Sequence, residues 1–145
     1  NKNMELNDEV KDGMDASVCA FDPETGQLIW AGANNPLMLI RNGQQVTELK
    51  ADKQHVGRSD NRRPYTNHTF QLEKGELIYL ITDGFADQFG GVNNKKFQKR
   101  KLRELLFSIH HLPMEQQRST LLETFEKWRG TNEQVDDVTI IGVRV

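Results

Sequence analysis

Three turn signals separate short apolar segments in the first half of the chain, and they constrain the fold more than any other feature. The segment Asp-Pro-Glu-Thr-Gly at 22–26 and the pairs Asn42-Gly43 and Lys74-Gly75 supply residues that preset or tolerate turn dihedral angles. Apolar segments flank each of the first two signals, which is the pattern of a β-hairpin. The sequence therefore predicts a series of antiparallel strands.

The strands are expected at residues 16–21, 28–31, 37–40, 45–49, 66–72, 76–82 and 138–145. Between the last two lie two helical patterns, whose apolar stripes are Leu102, Leu105, Leu106 and Ile109, and then Leu121, Leu122, Phe125 and Trp128. Pro113 is expected to open the second helix and Gly130 to end it. Strands followed by helices and one closing strand predict an α+β fold.

The composition excludes several classes of protein. A length of 145 residues suggests one domain, and a net charge of −2 argues against a general nucleic-acid surface. No apolar run approaches the roughly 20 residues of a membrane span, and the start of the chain lacks the apolar stretch of a signal peptide. The single cysteine, Cys19, excludes an internal disulfide framework. We expect a cytoplasmic domain with no membrane contact.

Two segments carry few apolar residues. The first twelve residues are polar and favour a helix end or a leader, while residues 50–66 favour a long loop of low local stability. Arg58, Arg62 and Arg63 lie in this loop. Guanidinium groups match phosphate oxygens, so these side chains either contact a phosphoserine or remain in solvent.

Carboxylates stand at the ends of two predicted strands. Asp83 follows a buried strand within Thr-Asp-Gly, and the pair Asp136-Asp137 precedes the final strand. Magnesium and manganese prefer oxygen ligands, so the two segments predict a shared cation if the strand ends meet. Asp and Gly are also common turn residues, and from spacing alone plain turns remain open.

Three segments in this order resemble the SpoIIE-like branch of the metal-dependent (PPM) protein serine/threonine phosphatases. They are Phe-Asp-Pro-Glu-Thr-Gly at 21–26 with Ala-Gly-Ala-Asn-Asn-Pro-Leu at 31–37, Tyr-Leu-Ile-Thr-Asp-Gly-Phe-Ala-Asp-Gln at 79–88, and Asp-Asp-Val-Thr at 136–139. The resemblance implies two stacked antiparallel sheets flanked by helices, with a two-metal centre of manganese or magnesium at one edge.

Carried over by position, Asp83 and Asp136 are the implied catalytic metal ligands, and Asp137 is a weaker candidate. The implied reaction is hydrolysis of a phosphoserine or phosphothreonine on a protein by metal-activated water. The resemblance further suggests bacterial signalling, an anti-anti-sigma-type phosphoprotein as substrate and a sensor domain upstream.

The chain departs from the family pattern in its first part. The family carries an Asp ahead of an aromatic residue and an Asp followed by Gly-His-Gly, and neither is found here. Asp15 does not replace them, because it follows Gly13-Met14, and Ala33 stands where many relatives have His. We therefore expect residues 1–145 to be the C-terminal portion of one phosphatase domain, inactive alone.

Two alternatives remain open at this stage. One is a non-catalytic pseudophosphatase or regulatory module that binds a partner, and the upstream sequence would distinguish it from an enzyme. The other is an unrelated α+β interaction domain, which metal titration would distinguish from both.

Overall fold

This computed structural model describes residues 12–58 and 61–145. The strands are β1 (Gly13–Met14), β2 (Ala16–Phe21), β3 (Gln27–Ala33), β4 (Leu37–Ile40), β5 (Thr47–Leu49), β6 (Val56–Gly57), β7 (His68–Gln71), β8 (Leu77–Ile81), β9 (Phe89–Gly90), β10 (Lys95–Lys96) and β11 (Ile140–Arg144). The helices are α1 (Gly84–Asp87), α2 (Lys99–Ile109) and α3 (Met114–Arg129). Most of the expected N-terminal helix end or leader, and two residues of the 50–66 loop, lie outside the described residues.

The strands form two larger antiparallel sheets. One has four strands in the order β11-β8-β4-β5, and the other has three in the order β2-β3-β7. The short pairs β1-β6 and β9-β10 are separate. The expected hairpins are confirmed, since Phe21 pairs with Leu28 and Leu37 pairs with Leu49. The predicted α+β architecture is correct.

The two sheets stack, and the longer helices cover the outer face of the four-stranded sheet. Between the sheets lies a buried cluster of Leu28, Trp30, Leu37, Leu39, Leu72 and Ile78. Between the four-stranded sheet and the helices lies a second cluster, which includes Met38, Leu77, Tyr79, Ile81, Leu102, Leu106 and Phe125. Alternate residues of β8 enter the two clusters, as its pattern predicts. No helix of the described part of the chain is long and apolar enough to cross a bilayer.

The apolar stripe of α3 differs from the prediction at one position. Leu122 is 60% exposed, whereas Gln117 is 1% exposed and takes the position on the buried face one turn before Leu121. The hydroxyl of Tyr79 donates to Gln117 Oε1 at 2.7 Å, and Gln117 Nε2 donates to two backbone carbonyls, at 3.1 and 2.9 Å. A buried glutamine is stable here because its polar atoms have partners.

The connection from β8 to α2 contains elements that the sequence analysis missed. Helix α1 has four residues, and β9 and β10 have two each. The hairpin of β9 and β10 packs against α3, where a Cβ on Gly90 would lie 1.8 Å from the carbonyl oxygen of Trp128. This contact holds the segment after Asp83 against the body of the protein.

Replacing Tyr79 by Phe is expected to lower the free energy of unfolding by about 1–3 kcal/mol, because Gln117 Oε1 would stay buried without a donor. Burial raises the pKa of Tyr79 to about 12 from its ordinary 10.0. The unfolded chain therefore loses the Tyr79 proton at a lower pH than the folded protein does. The free energy of unfolding should fall as the pH rises from 10.0 to about 12. Urea unfolding of the two proteins at several pH values measures both effects. The control is Tyr65→Phe, since the Tyr65 hydroxyl makes an exposed bond to the carbonyl of His55.

Candidate active site

Several strand ends meet at one end of the stacked sheets, which we call the rim. Strand β8 ends at the rim beside the start of β11, because Ile81 pairs with Ile140. Strand β4 begins at the same end, where Leu37 pairs with Leu80. Strand β3 reaches the rim just before β4, and its last residue pairs with the first residue of β2. The segments that precede β2 and β11 and the segments that follow β3 and β8 therefore all lie at the rim.

The Thr-Asp-Gly segment at 82–84 is hydrogen-bonded to, and packs closely against, the chain that precedes β11. Thr82 Oγ1 donates to the carbonyl of Asp137 at 3.0 Å and accepts from the backbone N–H of Thr139 at 3.0 Å. A Cβ on Gly84 would lie 2.2 Å from the carbonyl oxygen of Asp137. Only glycine allows this approach, so Thr82 and Gly84 together bring Asp83 to the side of Asp136-Asp137.

Asp83 lies in an unfavourable environment for an isolated carboxylate. Its Oδ1 is buried and has no hydrogen-bond partner among the described residues, and its side chain makes no capping bond at the start of α1. Burial raises the pKa of Asp83; Lys99 opposes this rise, and the carboxylates of Asp87, Asp15 and Asp136 add to it. A cation bound at this point would offset the cost of burying the Asp83 carboxylate and the repulsion from the neighbouring carboxylates.

Asp136 and Asp137 are both exposed. The Asp136 side chain accepts a bond from the N–H of Asp137 at 2.7 Å, and its carbonyl accepts from Gln134 Nε2 at 2.9 Å. The negative charge of Asp136 adds to the rise in the pKa of Asp83. The backbone carbonyl of Asp137 accepts the bond from the Thr82 hydroxyl that joins the two segments of the rim.

Gln88 connects the end of α1 to the chain that leads to Asp136. It is fully buried, and its Nε2 donates to the carbonyls of Phe89 and Glu133, each at 3.0 Å. Its own carbonyl accepts from Trp128 Nε1 at 2.8 Å. The structure gives Gln88 a positioning role between two segments of the rim.

Asp15, set aside in the sequence analysis, also lies at the rim. Its Oδ1 is 2.6 Å from His55 Nδ1 and accepts from Asn34 Nδ2 at 2.8 Å. Asn34 follows β3 and adopts a left-handed backbone conformation with φ of 61°. Nothing local in the sequence identifies this arrangement, because its three members come from segments far apart in the chain.

The three arginines are not gathered at Asp83. Arg58, Arg62 and Arg63 are exposed, and none is among the charges that influence the Asp83 carboxylate. Their loop is more structured than its composition suggests. Gln54 exchanges two bonds with the backbone of Arg63, and Asp52 accepts bonds from the N–H of Thr66 at 2.6 Å and its hydroxyl at 2.9 Å. These bonds lower the pKa of Asp52.

The rim fits a hard divalent cation in the chemistry of its donors. Asp83 supplies a buried carboxylate oxygen without a partner, and Asp136 supplies a second carboxylate nearby. Oxygen ligands of this kind suit magnesium and manganese. Within residues 12–58 and 61–145, no group of three His, Cys, Asp or Glu side chains is arranged to hold a metal ion. The described residues therefore supply part of a ligand set.

Comparison with known proteins agrees with the strand arrangement. The family model described as Stage II sporulation protein E (SpoIIE) matches residues 1–145. The SiaA-PP2C domain of Pseudomonas aeruginosa is 33% identical with a TM-score of 0.81, over 90% of this chain and 51% of that chain. Among functionally curated proteins, none matches the chain significantly.

Two further solved structures show the same fold at lower identity. The manganese-presoaked phosphatase domain of the cell fate determinant SpoIIE from Bacillus subtilis is 20% identical with a TM-score of 0.61, over 98% of this chain and 60% of that one. RsbX, solved in complex with magnesium, is 21% identical with a TM-score of 0.63, over 90% of this chain and 55% of that one. The chain spans between half and three fifths of the length of these three structures.

Proposed function

Because the chain belongs to the SpoIIE family, we propose that it forms part of a metal-dependent protein serine/threonine phosphatase. The observation that carries the proposal is the Asp83 carboxylate, whose Oδ1 is buried without a partner among the described residues, on the same rim as Asp136. Such an arrangement costs stability unless a cation neutralises it. Natural proteins keep destabilising groups such as this buried oxygen mainly at functional sites.

In this proposal Asp83 and Asp136 hold manganese or magnesium, and Asp137 is a third, weaker ligand. The bound ions would activate a water molecule and neutralise charge on the phosphoryl oxygens. Thr82, Gly84 and Gln88 position the two ligand segments through the contacts described above. The substrate is a phosphoserine or phosphothreonine on a protein in the cytoplasm, and the family suggests an anti-anti-sigma-type protein in bacterial signalling. Arg58, Arg62 and Arg63 are proposed to contact that substrate.

The ligand set is proposed to be completed by a segment preceding residue 1, as part of a longer protein that also carries a sensor domain. We expect residues 1–145 alone to bind manganese weakly and to hydrolyse phosphoserine negligibly, because a two-metal site needs a carboxylate that bridges both ions. Phosphate release from a phosphoprotein in manganese buffer, compared between the short chain and a longer chain with the preceding segment, tests this expectation. Full activity of the short chain would show that the bridging ligand has been misassigned.

A non-catalytic module that binds a partner is the second candidate. It is favoured by the incomplete ligand set and by a cleft of about 560 Å³ between α3 and β11, lined in part by Phe85, Leu121 and Val138. A longer chain that binds its phosphoprotein but releases no phosphate with manganese or magnesium would support this module and contradict the phosphatase.

A further inference from the structure

We propose that a basic surface beside the rim docks an acidic segment of the phosphoprotein substrate; this rests on the proposed phosphatase function and specifies the chemistry of its partner. The surface is formed by residues 95–103, which we call the basic strip. Its nine residues include no aspartate or glutamate and six of the 19 lysines and arginines of the chain: Lys95, Lys96, Lys99, Arg100, Lys101 and Arg103. Positive charge is therefore concentrated in one short segment of a chain whose net charge is −2.

The basic strip lies against α1, the short helix that follows Asp83. The backbone N–H of Gln98 donates to the carbonyl of Ala86, within this helix, at 2.8 Å. The positive charge of Lys99 opposes the rise in the pKa of Asp83. A protein whose phosphoserine reaches Asp83 would therefore also meet the basic strip.

Buried apolar side chains hold the backbone of the basic strip in place. Phe97 is 6% exposed and Leu102 is 0% exposed. The centre of the Phe97 ring lies 5.0 Å from that of Phe85 and 5.3 Å from that of Trp128. Lys101 Nζ lies 4.4 Å from the centre of the Trp128 ring. Because the backbone is already fixed, a partner that binds here orders only side chains, which reduces the cost of association.

Half of the cations in the basic strip have no anionic partner within the described part of the chain. Lys96 Nζ lies 3.6 Å from Asp87 Oδ1, and Lys99 and Arg103 share the Glu48 carboxylate at 3.5 and 2.9 Å. The remaining three make no ion pair with a described carboxylate: Lys95, Arg100 and Lys101. These three charges are available to a partner.

The charges at the start of α2 also oppose the dipole of that helix. The amino end of a helix favours acidic side chains, yet the first turn of α2 contains Lys99, Arg100 and Lys101 and no acidic residue. Adjacent cations also repel one another. The arrangement lowers the stability of the folded protein unless an anion neutralises it, and such a cost is typical of a functional surface.

A short acidic segment of a protein fits this surface better than a nucleic acid or an anionic membrane. The rim next to the basic strip is acidic, since the charges of Asp15, Asp87 and Asp136 all add to the rise in the pKa of Asp83. An extended anion would cover both regions and be repelled by these carboxylates. A protein segment with a few carboxylates can contact the basic strip alone, and its attraction offsets the repulsion of an acidic substrate from the rim.

A pair of phosphoserine peptides tests the docking in the longer chain. The peptides are identical except for a run of glutamates beside the phosphoserine in one and of glutamines in the other. We expect the unsubstituted protein to prefer the glutamate peptide by about tenfold in kcat/KM, through KM rather than kcat, and we expect added salt to reduce the preference. The combined substitution Lys95→Glu and Arg100→Glu should abolish the preference, since both side chains are exposed and make no described ion pair.

The matched control is the combined substitution Lys74→Glu and Arg118→Glu. Both side chains are exposed and lie away from the rim, Lys74 in the turn before β8 and Arg118 on α3. Because the total change in charge is the same, this variant should keep the preference. Retention of the preference after substitution of the basic strip, its loss in the control, or its absence from the unsubstituted protein would overturn the docking role.

Binding of the glutamate peptide without its phosphate, followed by fluorescence anisotropy, requires no catalysis. Substitution of Lys95 and Arg100 by glutamate should weaken this binding by about tenfold. If the unsubstituted protein hydrolyses neither phosphopeptide but binds the glutamate peptide through the basic strip, the phosphatase proposal fails and the acidic partner is retained. Tighter binding of a uridine RNA of equal charge, or of phosphatidylserine vesicles, than of the glutamate peptide would show another class of partner and contradict the proposal.

Discussion

Asp83→Asn in the longer chain is expected to lower phosphoserine hydrolysis by at least about 10²-fold. A bound cation supplies several kcal/mol of charge stabilisation in the transition state, and a neutral amide holds it far less well. The fold should survive, because the amide has nearly the same shape and removes a charge that neighbouring carboxylates repel. The melting temperature should therefore be unchanged or higher, a combination typical of functional sites that cost stability.

The matched control is Asp22→Asn. Asp22 lies in the turn between β2 and β3, at the end of the three-stranded sheet away from the rim, and its carboxylate accepts from the N–H of Glu24 at 2.9 Å. This substitution should leave phosphate release unchanged. If Asp83→Asn retained full activity while the parent protein was active, Asp83 could not be a ligand of the catalytic metal.

Gly84→Ala is expected to reduce both stability and activity. Its Cβ would lie 2.2 Å from the carbonyl oxygen of Asp137 and 2.8 Å from the carbonyl carbon, and backbone atoms cannot move aside as a flexible side chain can. Relief of the overlap requires Asp83 and the Asp136-Asp137 segment to separate. Overpacking of this kind costs about 3 kcal/mol, and misplacement of the ligands by about 1 Å costs about 10²-fold in rate.

Gly43→Ala provides the comparison for this substitution. Gly43 has no neighbour within 4 Å of an added Cβ but has φ of +70°, so alanine there meets only the backbone cost of about 1–2 kcal/mol. Urea unfolding and phosphate release on both variants separate the two effects. A Gly84→Ala protein as active as Gly43→Ala would show that the contact with Asp137 does not position the site.

Strands such as β8 could be predicted from the sequence because their signals are local. Alternation of apolar residues decides which side chains face each neighbouring layer, and Gly75 permits the turn before the strand. The position of Asp83 follows from the same pattern. Its proximity to Asp136 does not, because that depends on the pairing of β8 with β11, in which Ile81 meets Ile140, 59 positions farther along the chain.

The features that the sequence analysis missed depend on contacts between distant segments. Helical spacing admits Leu122 to the buried stripe of α3, but Leu122 is exposed; Gln117, one turn before Leu121, is buried there as the hydrogen-bond partner of the Tyr79 hydroxyl. Asp15 lacks the expected local motif, yet the β2-β3 pairing places it at the rim beside His55. Helix α1 is too short for a period of 3.6 residues to be visible.

Titration of manganese into the longer chain, followed by the electron paramagnetic resonance of the free ion, tests most directly whether Asp83 and Asp136 hold a cation. We expect Asp83→Asn and Asp136→Asn each to weaken manganese binding by at least about tenfold, since loss of even an indirect contact to a metal ligand has effects of that size. Asp22→Asn should bind like the parent protein. Equal manganese affinity in all four proteins would contradict the assignment of the metal centre to this rim.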